Sequence, residues 1–522
     1  MTDSSKRSLR KAAALLIAAG VAISAAFVPI RAYAAGSAVS KAAELIVDGK
    51  VVNTFASADD AWTTATGKLR NNQSATVKLY ANWKPRSYCD VIYAGDSISL
   101  TLDLNGFTVD RGLNKKTKRN GYVFNVNDKA TFIIEDSAPD SHNYSDSISG
   151  GVITGGAGDN CGGGIQLGDN SKLYMHGGSI VGCVTDDHGG AIRVDGDSTI
   201  VEIENAGFYQ NKTFDSWDSC NGGAIYGTSH CNMTIKNSVF VGNSSEDYGG
   251  AIFFDIGSLN VENCVFRSNT CEDDGGAVYL LTSTLMYSAP LANTYALTDC
   301  LFEKNHADDY GGAIATEATR EVVKLFGNTM TGNTCGENGG AIYVDGKNVC
   351  IADSTITGNN ADELGGGVFV DSMYDVSIQG CDVITGNTRG GKTADNLFIS
   401  KGKVSAAHIF NGGLTEGANV CVGTKSGVSE YRIADLTSEY QAQYFHSDDK
   451  SLKIVFGKDS SQTQTEHLIS SSFGNGDLIL PIILIMLLVC SAAVVFAVRK
   501  LRTSSKKDCG ADDKEDNNEA DC

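Results

Sequence analysis

Residues 240–252 read FVGNSSEDYGGAI, residues 266–278 read FRSNTCEDDGGAV and residues 302–314 read FEKNHADDYGGAI. In each stretch an asparagine follows the phenylalanine after three residues, and a Gly-Gly pair follows the asparagine after six. Two linked motifs that recur in one register predict an internal structural repeat.

The same Gly-Gly block recurs through the middle of the chain at intervals of 26 to 36 residues. The blocks begin at Gly162, Gly189, Gly222, Gly249, Gly275, Gly311, Gly339 and Gly365. Each unit contains strands with alternating apolar residues and shows no helical period. Strands this short cannot enclose a core alone, but they can when each unit is one coil stacked ~4.8 Å from the next. The sequence therefore predicts an all-β fold, a parallel β-helix over residues 151–425.

Stacked coils would align equivalent side chains into ladders. We expect the Ile or Val of each Gly-Gly block to join one inward apolar stack, made of Ile192, Ile225, Ile252, Val278, Ile314, Ile342 and Val368. We expect the asparagines to form an amide ladder along a bend and to adopt the left-handed conformation there. The paired glycines should permit a sharp turn and a close approach between coils.

The composition agrees with a turn-rich β protein and disfavours other classes. The chain of 522 residues has 59 glycines and 5 prolines, and 42 Lys and Arg against 62 Asp and Glu give a net charge of −20. Scarce proline excludes collagen-like and proline-rich disordered chains. Abundant glycine disfavours a helical protein, because glycine in a helix costs ~1 kcal/mol relative to alanine. The negative charge disfavours a nucleic-acid-binding surface.

The Phe-x-x-Asn motif followed by Gly-Gly-Ala-(Ile/Leu/Val) resembles the repeat of chlamydial polymorphic outer-membrane proteins. More broadly, residues 151–400 resemble bacterial right-handed parallel β-helix proteins of the pectin-lyase-like fold. The resemblance implies a right-handed β-helix and a role as a surface adhesin or virulence factor. The C-terminus departs from the family, because this chain ends in one apolar segment followed by basic residues.

The two ends of the chain predict export and anchoring. Residues 1–34 combine a basic start, an apolar stretch and an Ala-Tyr-Ala motif, which is typical of a secretory signal cleaved after Ala34; an uncleaved anchor is the alternative. An apolar stretch predicts a transmembrane helix over residues 477–498, and the basic residues after it place the acidic tail, residues 499–522, in the cytoplasm. The predicted location is a single-pass plasma-membrane protein with its ectodomain on the cell surface.

The segments that flank the repeats are less regular. Residues 35–150 are expected to hold an N-terminal cap and the initial coils of the β-helix. A capping-box-like start at Ser57 predicts a short helix with Ala58, Trp62, Ala65 and Leu69 on one face, lying as a lid over the first coil. Residues 426–476 are expected to form a C-terminal cap and a polar stalk.

One residue after the inward Ile or Val comes a mostly aromatic position. Its occupants are Gln166, Arg193, Tyr226, Phe253, Tyr279, Ala315, Tyr343 and Phe369. Strand alternation turns these side chains outward. Five exposed aromatic residues (Tyr226, Phe253, Tyr279, Tyr343 and Phe369) would suit a contact surface for sugar rings or a protein partner. The alternative is that the rings form a structural stack, or a surface against which the inserted loop at residues 281–295 packs.

Acidic residues stand two and three positions before most Gly-Gly pairs, including Asp247, Asp273, Asp309 and Glu363. Stacking would bring these carboxylates within ~5 Å of one another. Calcium, which takes six to eight oxygen ligands, would relieve the repulsion. The alternative, which we favour, is that the side chains extend into solvent. We expect no cofactor, with calcium kept as an open alternative.

Enzymes of the pectin-lyase-like fold need a distinct catalytic group, and such a site should break the repeat. The clearest break is Asp186, Asp187, His188 and Arg193, where His and Arg replace residues that are Tyr, Asp or aromatic elsewhere. A solvent-exposed turn explains the same residues, so the sequence favours binding over catalysis.

The cysteine positions suggest one disulfide. Cys264 and Cys300 occupy the same position in adjacent coils, and a Cα separation of ~4.8 Å lies inside the range for a disulfide. Buried free thiols are the alternative. Cys271 and Cys335 also share a position but lie two coils apart, too far to bond.

These patterns predict a membrane-anchored, adhesin-like surface protein whose partner is an extracellular polysaccharide or a surface protein of a host or neighbouring cell. Two alternatives remain open: a polysaccharide lyase or glycoside hydrolase using the same groove, and a structural stalk.

Overall fold

One repeat of sequence forms one coil of four short strands. In one coil these are Lys172–His176, Ser179–Val181, Val184–Thr185 and Ile192–Val194. The alternation of apolar residues turns Leu173 and Met175 inward, and both are fully buried. The order along a coil is therefore strand, strand, corner at the asparagine position and strand after the Gly-Gly position. A two-residue strand directly after the asparagine position completes the coil.

The structure, a computed structural model, describes residues 41–470 apart from 69–73, 96–97, 114–116, 215–218, 283–293, 319–321, 347, 372–375, 401–408, 424–429, 436–442 and 459–463. The predicted signal peptide, transmembrane helix and cytoplasmic tail lie outside these residues. In the part described, no helix is long and apolar enough to cross a bilayer. The described coils make a parallel β-solenoid of about 11 turns.

Equivalent strands of successive coils pair in parallel and form four stacks. The first stack holds the longest strands: Ala75–Leu79, Leu100–Asp103, Thr131–Glu135, Lys172–His176, Ile200–Glu204, Cys231–Lys236, Gly257–Glu262, Thr294–Thr298, Val322–Phe326, Val349–Ala352, Val376–Gly380, Ile409–Leu414 and Glu430–Asp435. The second stack holds Thr108–Asp110, Val152–Thr154, Ser179–Val181, Gly207–Tyr209, Val239–Val241, Val265–Arg267, Leu301–Glu303, Thr329–Thr331, Thr355–Thr357, Val383–Thr385, Asn419–Val422 and Phe445–Ser447.

The third stack follows the asparagine corner. Its strands are Lys118–Arg119, Ala157–Asp159, Val184–Thr185, Lys212–Thr213, Ser244–Ser245, Thr270–Cys271, His306–Ala307, Thr334–Cys335, Asn360–Ala361 and Thr388–Arg389, closed by antiparallel Thr393–Ala394. The fourth stack follows the Gly-Gly turn, with Cys89–Val91, Phe124–Val126, Ile165–Leu167, Ile192–Val194, Ile225–Gly227, Ile252–Asp255, Val278–Leu281, Ile314–Glu317, Ile342–Val344, Val368–Val370 and Leu397–Ile399.

Antiparallel strands lie at both ends of the described solenoid. Ala43–Val47 pairs with Ala75–Leu79 and with Lys50–Phe55. Near the other end, Gln464–Ser470 pairs with Glu430–Asp435 and Leu452–Lys458. A small hairpin of Asn143–Ser145 and Ile148–Ser149 protrudes between coils.

The predicted N-terminal helix is present as Ala58–Lys68. Its Trp62 is buried, and its ring centroid lies 5.4 Å from that of Phe124 and 6.0 Å from that of Phe132. Those two rings belong to the first complete coils, so the helix adds to the same core. Its role as a lid stays a prediction.

The core is one continuous column of apolar side chains inside the coils. The predicted inward row from Ile192 to Val368 pairs in register from coil to coil and is fully buried, which confirms that prediction. On the second stack, Phe208, Phe240, Phe266 and Phe302 lie parallel with centroids 4.7–4.8 Å apart. Ring stacking therefore follows the spacing of the coils.

The asparagine ladder is present, but its predicted conformation is wrong. The Asn243 side chain donates to Phe208 O at 3.0 Å and to Asn269 Oδ1 at 2.9 Å. The same pattern connects Asn211, Asn243, Asn269, Asn305, Asn333, Asn359 and Asn387. None of these residues has a positive φ; the left-handed residue is the one before, such as Gly242 or Lys304. Because the residue before the asparagine makes the turn, the asparagine keeps a negative φ and its side chain points into the coil.

From the pair that begins at Gly189 onward, the two glycines of a pair have different roles, as the turn and the coil spacing require. Gly249 has φ +66°, a conformation that L side chains rarely adopt. Gly250 has an ordinary φ, but a Cβ there would overlap the backbone oxygen of Gly276 in the next coil. The first glycine makes the turn and the second permits the close approach.

Candidate functional site

The outward-facing row of the fourth stack changes character along the solenoid. Its first four members are polar: Asp90, Asn125, Gln166 and Arg193, paired in register. The following coils place Tyr226, Phe253, Tyr279, Ala315, Tyr343, Phe369 and Phe398 at the same position. A polar half and an aromatic half therefore lie on one face.

The aromatic half forms two stacks of rings, which are separated by Ala315. Ring centroids are 5.1 Å apart between Tyr226 and Phe253, 5.6 Å between Phe253 and Tyr279, and 5.5 Å between Tyr343 and Phe369, with nearly parallel planes. Tyr226 and Tyr343 are half-buried, whereas the other three are at most 5% exposed. The prediction that all five are exposed is therefore wrong for Phe253, Tyr279 and Phe369.

A second layer of rings accounts for part of this burial. Tyr248 and Tyr310, which directly precede Gly-Gly pairs, lie over the row, with centroids 4.6 Å from Tyr279 and 4.5 Å from Tyr343. A ligand could contact the row only at its half-buried members, so a binding role for the five aromatic residues stays a prediction.

Of the four residues in the predicted catalytic break, three come together. The Arg193 guanidinium forms an ion pair with Asp187 and a second with Asp195, whose Oδ2 is 3.0 Å from Nε. His188 Nε2 lies 3.4 Å from Asp187 Oδ1. Asp186 lies apart from this group, accepting a hydrogen bond from the backbone of Asn160 at 3.1 Å.

The histidine in this cluster is held as a neutral ring. Burial lowers the pKa of His188, with Asp187 opposing the shift. Its Nδ1 accepts a hydrogen bond from Asn221 N at 3.1 Å, which places the proton on Nε2, facing Asp187. The ring also stacks on Tyr226 with centroids 4.2 Å apart. The positive charge of Arg193 is thus paired with two carboxylates inside the cluster.

The polar half of the row borders an open cleft of about 670 Å³. Asn125, Asn127 and Gln166 line it, with Tyr93 among the residues around them. Tyr93 is one of the few large apolar residues in the described chain that are strongly exposed, at 44%. The cleft was not predicted from the sequence, where the available signal was Gln166, a polar residue at a mostly aromatic position.

The acidic row stacks as expected. Asp309 N donates to Asp273 O at 3.0 Å, and Asp273 N donates to Asp247 O at 3.2 Å. Glu363 continues the row through Glu337. In the described residues, no three Asp, Glu, His or Cys side chains are grouped so that they could hold a metal ion. Calcium binding by Asp247, Asp273, Asp309 and Glu363 stays a prediction.

Asp274, which sequence analysis passed over in favour of its neighbour, is the unusual carboxyl in this region. It is 8% exposed, and Oδ1 accepts a hydrogen bond from Tyr310 N at 3.0 Å. Burial, reinforced by Asp273, Asp309 and Glu317, raises its pKa to about 8. Its position is held by Tyr, His, Asn, Leu or Cys in other coils, and that difference was the available signal.

Cys264 and Cys300 are neighbours in adjacent coils, as predicted, and both are buried as free thiols. Cys264 Sγ donates to Glu262 O at 3.3 Å, and Cys300 Sγ donates to Thr298 O at 3.2 Å. Disulfide formation stays a prediction. Cys271 and Cys335 are separated by Ala307, as expected from their spacing.

Comparison with known proteins gives one family. The model of the Chlamydia polymorphic membrane protein repeat matches residues 237–255, 299–317 and 329–345. Each segment contains the apolar residue, the ladder asparagine and the Gly-Gly pair of one coil. No curated protein and no solved structure matches the chain. The chain is a parallel β-solenoid, and three of its coils carry repeats similar to those of the Chlamydia polymorphic membrane proteins.

Proposed function

We propose that this protein is a membrane-anchored bacterial surface adhesin with a right-handed β-helix ectodomain. Its partner is an extracellular glycan, or a surface protein of a host or neighbouring cell. The observation that carries the proposal is the long, regular solenoid built from repeats of the polymorphic membrane protein type. Such a solenoid presents a long, rigid face on which binding groups keep fixed positions.

The anchoring part of the proposal rests on the sequence. The signal-like residues 1–34 would direct export, and the apolar residues 478–498 with the basic residues after them would hold the C-terminus in the cytoplasm. The repeats would then stand outside the cell.

The geometry of the catalytic candidates favours binding over catalysis. A lyase acting on uronic acids needs a basic group available to the substrate carboxylate. Arg193 is committed to Asp187 and Asp195, and its side chain is only 15% exposed. The His188 side chain is only 17% exposed, and its Nδ1 accepts a hydrogen bond from Asn221 N. A polysaccharide-active enzyme therefore remains the rival function, and a passive stalk the third.

The test compares bacteria that display the full-length protein with bacteria that lack it. We expect displayed protein to be cut by protease added to intact cells, and to increase adhesion to host cells or to immobilised polysaccharide at least several-fold. If cells that display the protein adhere no better than cells that lack it, the proposal is contradicted and a structural stalk is the remaining function. Release of sugar products by the purified protein, lost in Asp187→Ala, would instead establish the enzyme.

A further inference from the structure

The cleft beside the polar half of the outward-facing row has the chemistry of a ligand site. It extends over four successive coils, from Tyr93 in the first to Asp195 in the fourth. Its volume of about 670 Å³ lies within the ~300–1,000 Å³ usual for sites that bind small organic molecules. Gly168 and Gly196 form part of its wall.

Hydrogen bonds within the wall fix the orientation of its amides. The Asn125 side chain donates to Asp90 Oδ1 at 2.9 Å and to Asn127 Oδ1 at 2.6 Å. Gln166 Nε2 donates to Asp195 Oδ1 at 2.8 Å, while its Oε1 accepts from Gly162 N at 2.9 Å. A wall that is already ordered loses little conformational entropy when a ligand binds.

The charge of the wall excludes anionic ligands. Among the residues that the structure describes, three carboxylates line the cleft (Asp128, Asp169 and Asp195) and no Lys or Arg does so. The adjacent Arg193 is neutralised by its ion pairs with Asp187 and Asp195. A uronic acid or a phosphate would therefore meet net negative charge.

The mixture of groups favours hydroxyls over amines. An ammonium group only donates hydrogen bonds, whereas amide side chains both donate and accept, as sugar hydroxyls do. Carboxylates accept hydrogen bonds from hydroxyl groups. The exposed ring of Tyr93 offers a flat apolar surface with a polar edge, which suits the C–H face of a sugar ring.

We propose that this cleft binds a neutral oligosaccharide, with Tyr93 against the face of one sugar and Asn127, Asp128 and Asp169 hydrogen-bonded to hydroxyls. The inference rests on the proposed adhesive function and deepens it: the site is on the polar half of the row, and the ligand class is uncharged carbohydrate.

The experiment measures binding of purified full-length protein to an array of neutral, uronic-acid-containing and amine-containing oligosaccharides. We expect binding to neutral members only. Tyr93→Ala should weaken it at least tenfold, because the ring contact is lost. Tyr144→Ala is the matched control, since Tyr144 is 42% exposed on the protruding hairpin away from the cleft wall. Asn127→Ala is a second test, and it too should reduce binding at least several-fold.

Preference for acidic or amine-containing sugars would overturn the proposal, as would neutral-sugar binding that both Tyr93→Ala and Asn127→Ala leave unchanged. If the protein binds no sugar while displaying cells still adhere, the cleft assignment is wrong and the adhesive function stands. If the protein binds no sugar and the displaying cells do not adhere, the cleft assignment and the adhesive function are both wrong.

Discussion

A single amide group explains why asparagine recurs at the corner of each coil. The Asn305 side chain donates to Phe266 O at 3.0 Å and to Asn333 Oδ1 at 2.9 Å, while its own Oδ1 accepts from the backbone and side chain of Asn269, both at 3.0 Å. An aspartate could not donate, and a serine could not span the same partners. The side chain thus satisfies polar groups of three coils inside an apolar column.

Replacing one ladder asparagine should therefore cost far more than replacing an exposed one. Asn305→Ala removes four hydrogen bonds and leaves buried polar groups of the adjacent coils without partners. We expect a loss of about 3 kcal/mol in the free energy of unfolding, since each such group costs ~1–3 kcal/mol. Urea titration followed by circular dichroism would measure it. Asn232→Ala, at an exposed position of the first stack, is the control and should change the midpoint little. Equal midpoints for both variants would show that the ladder does not stabilise the fold.

At the scale of the turn, two kinds of glycine can be told apart. Gly242 has φ +65°, and the nearest atom to an added Cβ is Gln210 Cγ at 3.7 Å, so conformation alone matters there. Ser268 and Lys304 occupy the same position with positive φ in the next two coils. Gly250 has an ordinary φ but no room, because the backbone of the next coil lies against it.

Alanine substitutions should separate the need for a left-handed conformation from the need for space between coils. Gly242→Ala should cost about 1–2 kcal/mol, the usual penalty of a left-handed L residue. Gly250→Ala should cost clearly more, because the backbone atoms of Gly276 and Thr270 cannot move without separating two coils. Thermal unfolding of both variants beside the unmodified protein would show the order. The reverse order would mean that the left-handed conformation at Gly242 constrains the chain more than the close approach of two coils at Gly250.

The burial of the inward-facing side chains could be predicted from the sequence, whereas the exposure of the outward-facing side chains could not. Strand alternation has a period of two, so the position of Ile252 gives its burial directly. The same alternation turns Tyr279 outward, but it cannot show that Tyr248 from a neighbouring turn covers it. The cleft was hidden for a different reason: Asn125 precedes the first Gly-Gly block, so its register with Gln166 is not readable from the repeat.

Over the whole molecule, buried carboxyls make stability depend on pH. Burial raises the pKa of Asp274 to about 8, of Asp382 to about 7 and of Asp395 to about 6. An unfolded chain has aspartate pKa values near ~3.9, so the folded state binds these protons more tightly. The stability they contribute is full below pH ~4 and is lost as pH rises through each folded value. Lower pH also reduces the self-repulsion of a chain with a net charge of −20. We expect a higher melting temperature at pH 5.5 than at pH 8.5.

The variant Asp274→Asn separates the contribution of one buried carboxyl from that of the overall negative charge of the chain. Asparagine fits the position, because Asn221 and Asn338 precede Gly-Gly pairs in other coils and accept from Tyr248 N at 3.3 Å and Leu364 N at 3.1 Å, as Asp274 accepts from Tyr310 N. The variant cannot ionise, so its melting temperature at pH 8.5 should rise and the gap to pH 5.5 should narrow by several degrees. Asp146→Asn, which removes an exposed carboxylate, should leave the gap almost unchanged. An undiminished gap in Asp274→Asn would place the pH dependence in the overall charge of the solenoid and not in its buried acids.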